Sequence, residues 1–246
     1  MEEVVIIVEE PMNITTATTA VATGPDITGR HGGAPSGPGP QSPMVEHAVR
    51  YTREQLWDVF PGAWLETAGG IPRCSCGAAN CGAPGAHPMR PDWAAQATGG
   101  ATAVRRMWAD RPHASVLLPT GRAFDAIEVP EATGCLALAR MERMGLASGP
   151  VTGTPDGRML FFVLPGGAAR LPDLVRGLGW SPSGVDMTAR GDGDWVAAPP
   201  TRVGARGAVL WVRQPEDAGH RLPDVEEIVR PLAYACGRDA AAARAR

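Results

Sequence analysis

Lysine is missing from all 246 residues, so each of the 23 basic side chains is an arginine. Together with abundant Ala, Gly and Pro this fits a GC-rich coding bias, and no function is drawn from it. It does exclude one phosphate-binding device. Pro165-Gly166-Gly167 follows an expected strand, as a phosphate-cradling loop would, but no Lys-Ser/Thr comes after it, so it reads as a turn. Surplus positive charge is absent too. A formal net charge of -3 excludes a protein that coats nucleic acid indiscriminately, because such binding needs an excess of cations to neutralise phosphates. A local basic groove stays compatible with that balance, and Arg105, Arg106 and Arg111 with Arg190, Arg202 and Arg206 could line one or could be solvated surface arginines. No stretch approaches the 18 or so apolar residues of a membrane span, and the short apolar run at residues 4–8 is flanked by acids rather than by a basic leader. The expectation is a cytoplasmic protein with no membrane partner.

Residues 12–43 are a run of Thr, Gly, Pro, Ser and Ala without apolar periodicity, a composition that cannot bury enough surface to offset its ordering entropy. Residues 1–44 are therefore expected to be a disordered tail. A domain follows over 45–215, opening with a helix over 45–60 and a second helix over 101–109 that leads into a buried strand at 115–119. A strand at 124–129 and a helix over 134–144 continue the alternation, and strand character recurs at 158–164, 185–188, 195–198 and 209–212. The segment 216–246 reads as a C-terminal helix with Asp224 as its N-cap candidate. The fold class is α/β (α+β), a mixed sheet flanked by helices. Most of the seven tryptophans, Trp57, Trp108, Trp180 and Trp195 among them, read as core.

Five cysteines, an odd number in a chain without a secretory leader, suit free thiols or metal ligands better than a disulfide framework. Cys135 and Cys236 fall on expected helices and read as core-facing. Cys74, Cys76, Cys81 and His87 cluster inside the Gly/Pro-rich stretch 69–91, which has no other evident source of order. Three thiolates and an imidazole complete a tetrahedral structural zinc site, and such a site supplies folding energy to a loop that lacks a core. Three reduced surface thiols and a turn histidine are the alternative.

Several strings then resemble one family in order. Residues 104–116 are similar to a helix and Trp-containing entry into a first core strand, leading to Thr120-Gly121. Asp125-Ala126-Ile127-Glu128-Val129-Pro130 sits where an Asp-x-Asp strand is expected, and Gly157-Arg158-Met159-Leu160-Phe161-Phe162 where a Gly-His-hydrophobic-Tyr-Phe string is. Gly184-Val185-Asp186 and Arg190-Gly191-Asp192-Gly193-Asp194-Trp195-Val196-Ala197-Ala198-Pro199-Pro200-Thr201 resemble the third block and the strand after it. The family is the bifunctional DNA primase/polymerase (prim-pol) N-terminal domain of the archaeo-eukaryotic primase superfamily, and the resemblance covers roughly two-thirds of the chain.

That resemblance implies a mixed sheet flanked by helices, a link to DNA replication and a two-metal nucleotidyl-transfer site using Mg or Mn. Glu128 and Asp186 are the residual site positions; Pro130 and Met159 replace a carboxylate and a phosphate-contacting histidine. Thr120, Gly121, Arg158 and Arg190 are candidate nucleotide or nucleic-acid contacts. The departures imply a degenerate site that binds a nucleotide, single-stranded DNA or a protein partner. Two alternatives stay open: an active primase/polymerase using Glu128, Glu131 and Asp186, and a zinc-stabilised protein-binding regulatory module.

Overall fold

The computed structural model describes residues 43–215 and 221–244. The expected tail, with the run at 4–8, lies outside them except at its last two positions, which already belong to the first helix. In chain order the elements are α1 (Pro43–Glu54), β1 (Phe60–Gly62), β2 (Leu65–Ala68), β3 (Ile71–Cys74), α2 (Trp93–Gln96), α3 (Ala101–Asp110), β4 (Ser115–Pro119), β5 (Asp125–Pro130) and α4 (Glu131–Arg143). They continue with β6 (Val151–Thr154), β7 (Arg158–Val163), α5 (Gly167–Gly177), β8 (Thr188–Arg190), β9 (Trp195–Ala197), β10 (Arg202–Val203), β11 (Gly207–Ala208), β12 (Leu210–Arg213) and α6 (Val225–Arg244).

Side-chain alternation along β5 and β7 sets the architecture. These strands are central in an antiparallel five-stranded sheet ordered β12-β6-β7-β5-β8, and a second, three-stranded sheet is ordered β1-β4-β9. Opposed residues share a face, so Ile127, Val129, Met159, Phe161 and Val163 all look one way, into a core shared with Met141 of α4, Leu171 and Val175 of α5, and Ile228 and Leu232 of α6. Ala126, Leu160 and Phe162 look the other way, against Val116 and Leu118 of β4, Ala48 and Val49 of α1, and Val104 and Trp108 of α3. The result is a mixed α/β fold whose sheets are flanked by helices. Each buried Phe, Leu or Ile side chain contributes about 1.5–3 kcal/mol, which makes a one-residue register slip of β7 prohibitive.

Several expectations need correction. The helix over 45–60 stops at Glu54. Leu56 takes φ +56° and stays exposed, and the chain turns so that Trp57 enters the core, stacked on Phe162 with ring centroids 5.5 Å apart. Phe60 then opens β1 instead of ending a helix. The strand expected at 185–188 begins only at Thr188, which leaves Asp186 on the connection before it. α5 follows directly on the Pro165-Gly166-Gly167 turn; Gly166 supplies the φ of +88° at its start, and the buried Asp125 carboxylate accepts the Ala168 N–H at 2.8 Å. Of the two remaining cysteines, Cys236 is buried as expected, but Cys135 is exposed on α4.

Candidate functional site

At the far end of β5 the site-facing side chains become charged. Glu128 lies on the face of Ala126 and Leu160, diagonal to Arg158 of β7 and Arg190 of β8. Arg158 Nε donates to Glu128 Oε1 at 3.1 Å, and its Nη1 and Nη2 donate to the two Asp186 oxygens at 2.9 Å each. Arg190 Nε and Nη2 both reach Glu128 Oε2, at 3.2 and 3.0 Å. Four charges thus alternate in sign: Asp186, Arg158, Glu128, Arg190. The Arg158 guanidinium hydrogen-bonded to Asp186 holds that carboxyl below the usual range, and the same pairing raises the guanidinium's own pKa.

Glu128, Arg158 and Arg190 line a cleft of about 140 Å³ with Thr154, Asp156 and Trp195, and Ala83 and Ala86 form part of its wall. Chemically, the cleft offers cations already satisfied by carboxylates. A two-metal site needs the opposite, carboxylates free to accept cations.

Of the other expected site residues, Pro130 shares the face of Glu128 and Arg158, while Met159, Glu131, Thr120 and Gly121 do not line the cleft. Met159 is fully buried on the opposite face, packed where a Cβ on Gly134 of α4 would come within 2.6 Å of its sulfur. The β7 side chain that faces the site is Arg158. Pro130 pairs with Arg158 at the end of β5, and Glu131 is already the first residue of α4. Thr120 and Gly121 form a latch: Thr120 Oγ1 donates to the Gly191 carbonyl at 2.6 Å, and Gly121, at φ +83°, lies so close to Asp192 that a Cβ would stand 2.3 Å from its Cα. Arg105 lies beside α1 in a separate depression with Arg50 and Arg53. Trp195, read as core, is half-buried and lines the cleft.

The second cluster lies in the stretch 69–91, which is more ordered than its composition suggests. β2 and β3 form a hairpin across Gly69-Gly70, both at positive φ (60° and 80°), the geometry of a two-residue hairpin turn. Cys74 ends β3. Ser75 then fastens the chain to Trp64, its N–H donating to the Trp64 carbonyl at 2.9 Å and its Oγ accepting the Trp64 N–H at 3.0 Å. Among the described residues, Cys74, Cys76, Cys81 and His87 form the one group of three or more Cys, His, Asp or Glu whose ligand atoms converge, all within 4.8 Å of one another. Glu128, Glu131 and Asp186 form no such group there.

The donor set fits a tetrahedral cation. Cys74 Sγ and His87 Nε2 are 3.3 Å apart, close to the roughly 3.5 Å edge implied by Zn–S and Zn–N bonds of about 2.3 and 2.0 Å. His87 Nδ1 donates to the Pro88 carbonyl at 2.8 Å, which fixes Nε2 as the ligand atom, and the Gly85 N–H points at Cys74 Sγ from 3.2 Å. As free thiols the cysteines differ: Cys76 is pulled down to about 7, first by the Ala78 backbone N–H, while burial pushes Cys81 up to about 11. A bound cation would displace both protons.

No helix among the described residues is long and apolar enough to cross a membrane. Compared with curated proteins and with solved structures, the chain has no significant match. The family model for the bifunctional DNA primase/polymerase N-terminal domain, however, matches residues 48–225, which takes in both sheets, the metal-type cluster and the Glu128–Arg158–Asp186 network. By that match, over well more than half its length, the chain belongs to the prim-pol N-terminal domain family.

Proposed function

We propose that the protein is a catalytically silent prim-pol domain that binds a nucleotide or single-stranded nucleic acid at the Arg158–Arg190 cleft, with zinc held by Cys74, Cys76, Cys81 and His87. The observation that carries the first part is the double pairing of Glu128. Its two oxygens are taken by Arg158 and Arg190, and Asp186 is taken by Arg158, so neither carboxylate is free to hold a divalent cation. Pro130 has no ligand atom to replace them. Support for binding comes from Arg190, whose side chain is 41% exposed, beside Trp195, a base-stacking surface at the rim of the same cleft. The zinc assignment rests on the Cys3His donor set and the oriented imidazole.

Two measurements test the reading. Primer extension and de novo synthesis with Mg or Mn should give no product. Synthesis that disappears in Asp186→Ala would instead establish the active alternative. A labelled single strand and nucleoside triphosphates should bind weakly, and Arg190→Ala should lower that affinity by about fivefold or more. Equal binding by the variant removes the cleft from the reading.

A protein partner is favoured by a different observation. β12 is the outer strand of the five-stranded sheet, and Leu210 and Val212 on it are 63% and 50% exposed. An outer strand with apolar side chains suits strand addition by a partner chain.

A further inference from the structure

The metal-type cluster and the cleft share a wall. Cys81 and His87 bracket five residues, and two of these, Ala83 and Ala86, line the cleft together with Glu128, Arg158, Arg190 and Trp195. Neither wall residue brings a charge or a hydrogen-bonding side chain, so this wall acts by excluding water and bulk rather than by binding. Its other supports are slight. The Gly204 N–H donates to the Pro84 carbonyl at 2.8 Å, the Ala63 N–H to the His87 carbonyl at 2.8 Å, and the Ala86 N–H to the Ala83 carbonyl at 3.0 Å. Ala86 packs in a small cluster with Val203 and Val209, bordered by Ala197. At Gly85 the loop backbone lies directly against β2 and β10, where a Cβ would meet Leu65 at 2.7 Å and the Arg202 carbonyl at 2.9 Å. A few backbone hydrogen bonds and three small side chains are a weak tether beside the closure of a four-ligand metal site.

We propose that the cysteine–histidine site is a gate on the cleft: a borderline-soft, tetrahedral divalent cation of the zinc class, bound by Cys74, Cys76, Cys81 and His87, pins residues 82–86 as the cleft wall. Its release frees the wall at both ends. This inference rests on the metal assignment made above, and the two can fail separately. With the cation bound, Arg158 is walled in and its pairing with Glu128 is sheltered from water. With the cation gone, the Ala83–Ala86 side opens, and Arg158, with the covered parts of Arg190 and Trp195, gains exposure to solvent. Metal supply then sets the access of any ligand to the cleft without the metal touching that ligand.

The test uses the full chain, with elemental analysis first. A protein purified from zinc-containing medium without bound metal ends the metal assignment itself. For the loaded protein, phenylglyoxal modification of Arg158 and Arg190 is followed by peptide mass spectrometry before chelation, after it, and after zinc is returned. Expected is at least a fivefold faster modification of Arg158 on chelation, reversed by zinc, with Arg50 on α1 unchanged as the control. Trp195 emission should shift to the red in parallel, assigned by its loss in Trp195→Phe. Equal Arg158 rates with and without verified metal overturn the gate and leave the metal assignment standing. If chelation abolishes the far-ultraviolet circular dichroism, the comparison becomes Cys81→Ser in saturating zinc, which keeps three ligands. Faster Arg158 modification with unchanged circular dichroism then supports the gate, and equal rates overturn it. Unfolding of that variant also overturns it, in favour of a metal that holds the whole domain.

Discussion

Arg158 meets Asp186 fork to fork, both Nη–Oδ distances being 2.9 Å, while its Nε turns back to Glu128. One guanidinium therefore spans both residual carboxylates, which come from β5 and from the connection ahead of β8. The pairing has a pH signature. Asp186 has a folded pKa below its unfolded value, so its contribution is present above about pH 4 and is lost as pH falls through the lower, folded value. Asp186→Asn should lower stability near neutral pH, by less than about 1 kcal/mol because the carboxylate is 63% exposed and screened. Urea titrations of both proteins should converge at acid pH; a constant difference across pH 2–7 would show that the pairing is not the cause.

Restoring a histidine to β7 is predicted to work only on the site face. Met159→His places a polar ring in the core beside Gly134 and should cost about 2–4 kcal/mol without any gain in cation binding. Glu128→Asp with Pro130→Asp and Arg158→His puts all three groups on one face and frees Asp186. That variant should bind Mn at micromolar to millimolar levels, read by electron paramagnetic resonance, where the unmodified protein shows none at the cleft.

Gly121→Ala should destabilise by more than about 2 kcal/mol, because φ +83° is strained for alanine and the new Cβ would collide with Asp192 backbone. Thermal melting checks it. A melt within a degree or two of the parent would mean the Thr120–Gly121 turn is not the latch described.

Zinc uptake should release protons. Cys81, pushed up to about 11, is a thiol at neutral pH and must lose its proton to ligate, so affinity rises with pH across 6–8. Calorimetry in two buffers of different ionisation enthalpy measures the release. Cys81→Ser should release fewer protons and bind more weakly, by tenfold or more.

What the sequence disclosed depended on whether the governing interaction was local. The strand at 115–119 was legible to the residue, because the aliphatic run Val116-Leu117-Leu118 stands between Ser115 and Pro119, with Arg111-Pro112 and Thr120-Gly121 as breakers on either side. The cysteine cluster was legible from spacing alone. α5 was hidden by Pro172 inside it and by the two glycines at its start, and no short-range signal announces that Asp125, 43 positions earlier, accepts its first free N–H. The β2–β3 hairpin was hidden because Ile71, Pro72 and Arg73 are exposed and show no burial pattern. At the site, string matching drew attention to Met159, whereas facing is decided by pairing: Met159 opposes Val129, and Arg158 opposes Pro130. Arg158 and Arg190 were legible as candidate ligand contacts, but their attachment to Glu128 was not, since it joins positions 30 and 62 residues apart.

The alternating row of Asp186, Arg158, Glu128 and Arg190 also bears on which substitutions the cleft tolerates. These four formal charges sum to zero, so a substitution that adds or removes one charge leaves another unmatched, at greatest cost beside Glu128, the most buried of the four. Loss of Arg158 leaves Asp186 unpaired, loss of Arg190 leaves Glu128 with Arg158 alone, and an acid added at Pro130 finds no spare cation in the row. The four positions are thus expected to change as a set, a lost charge at one being best tolerated when its partner across the row is lost with it.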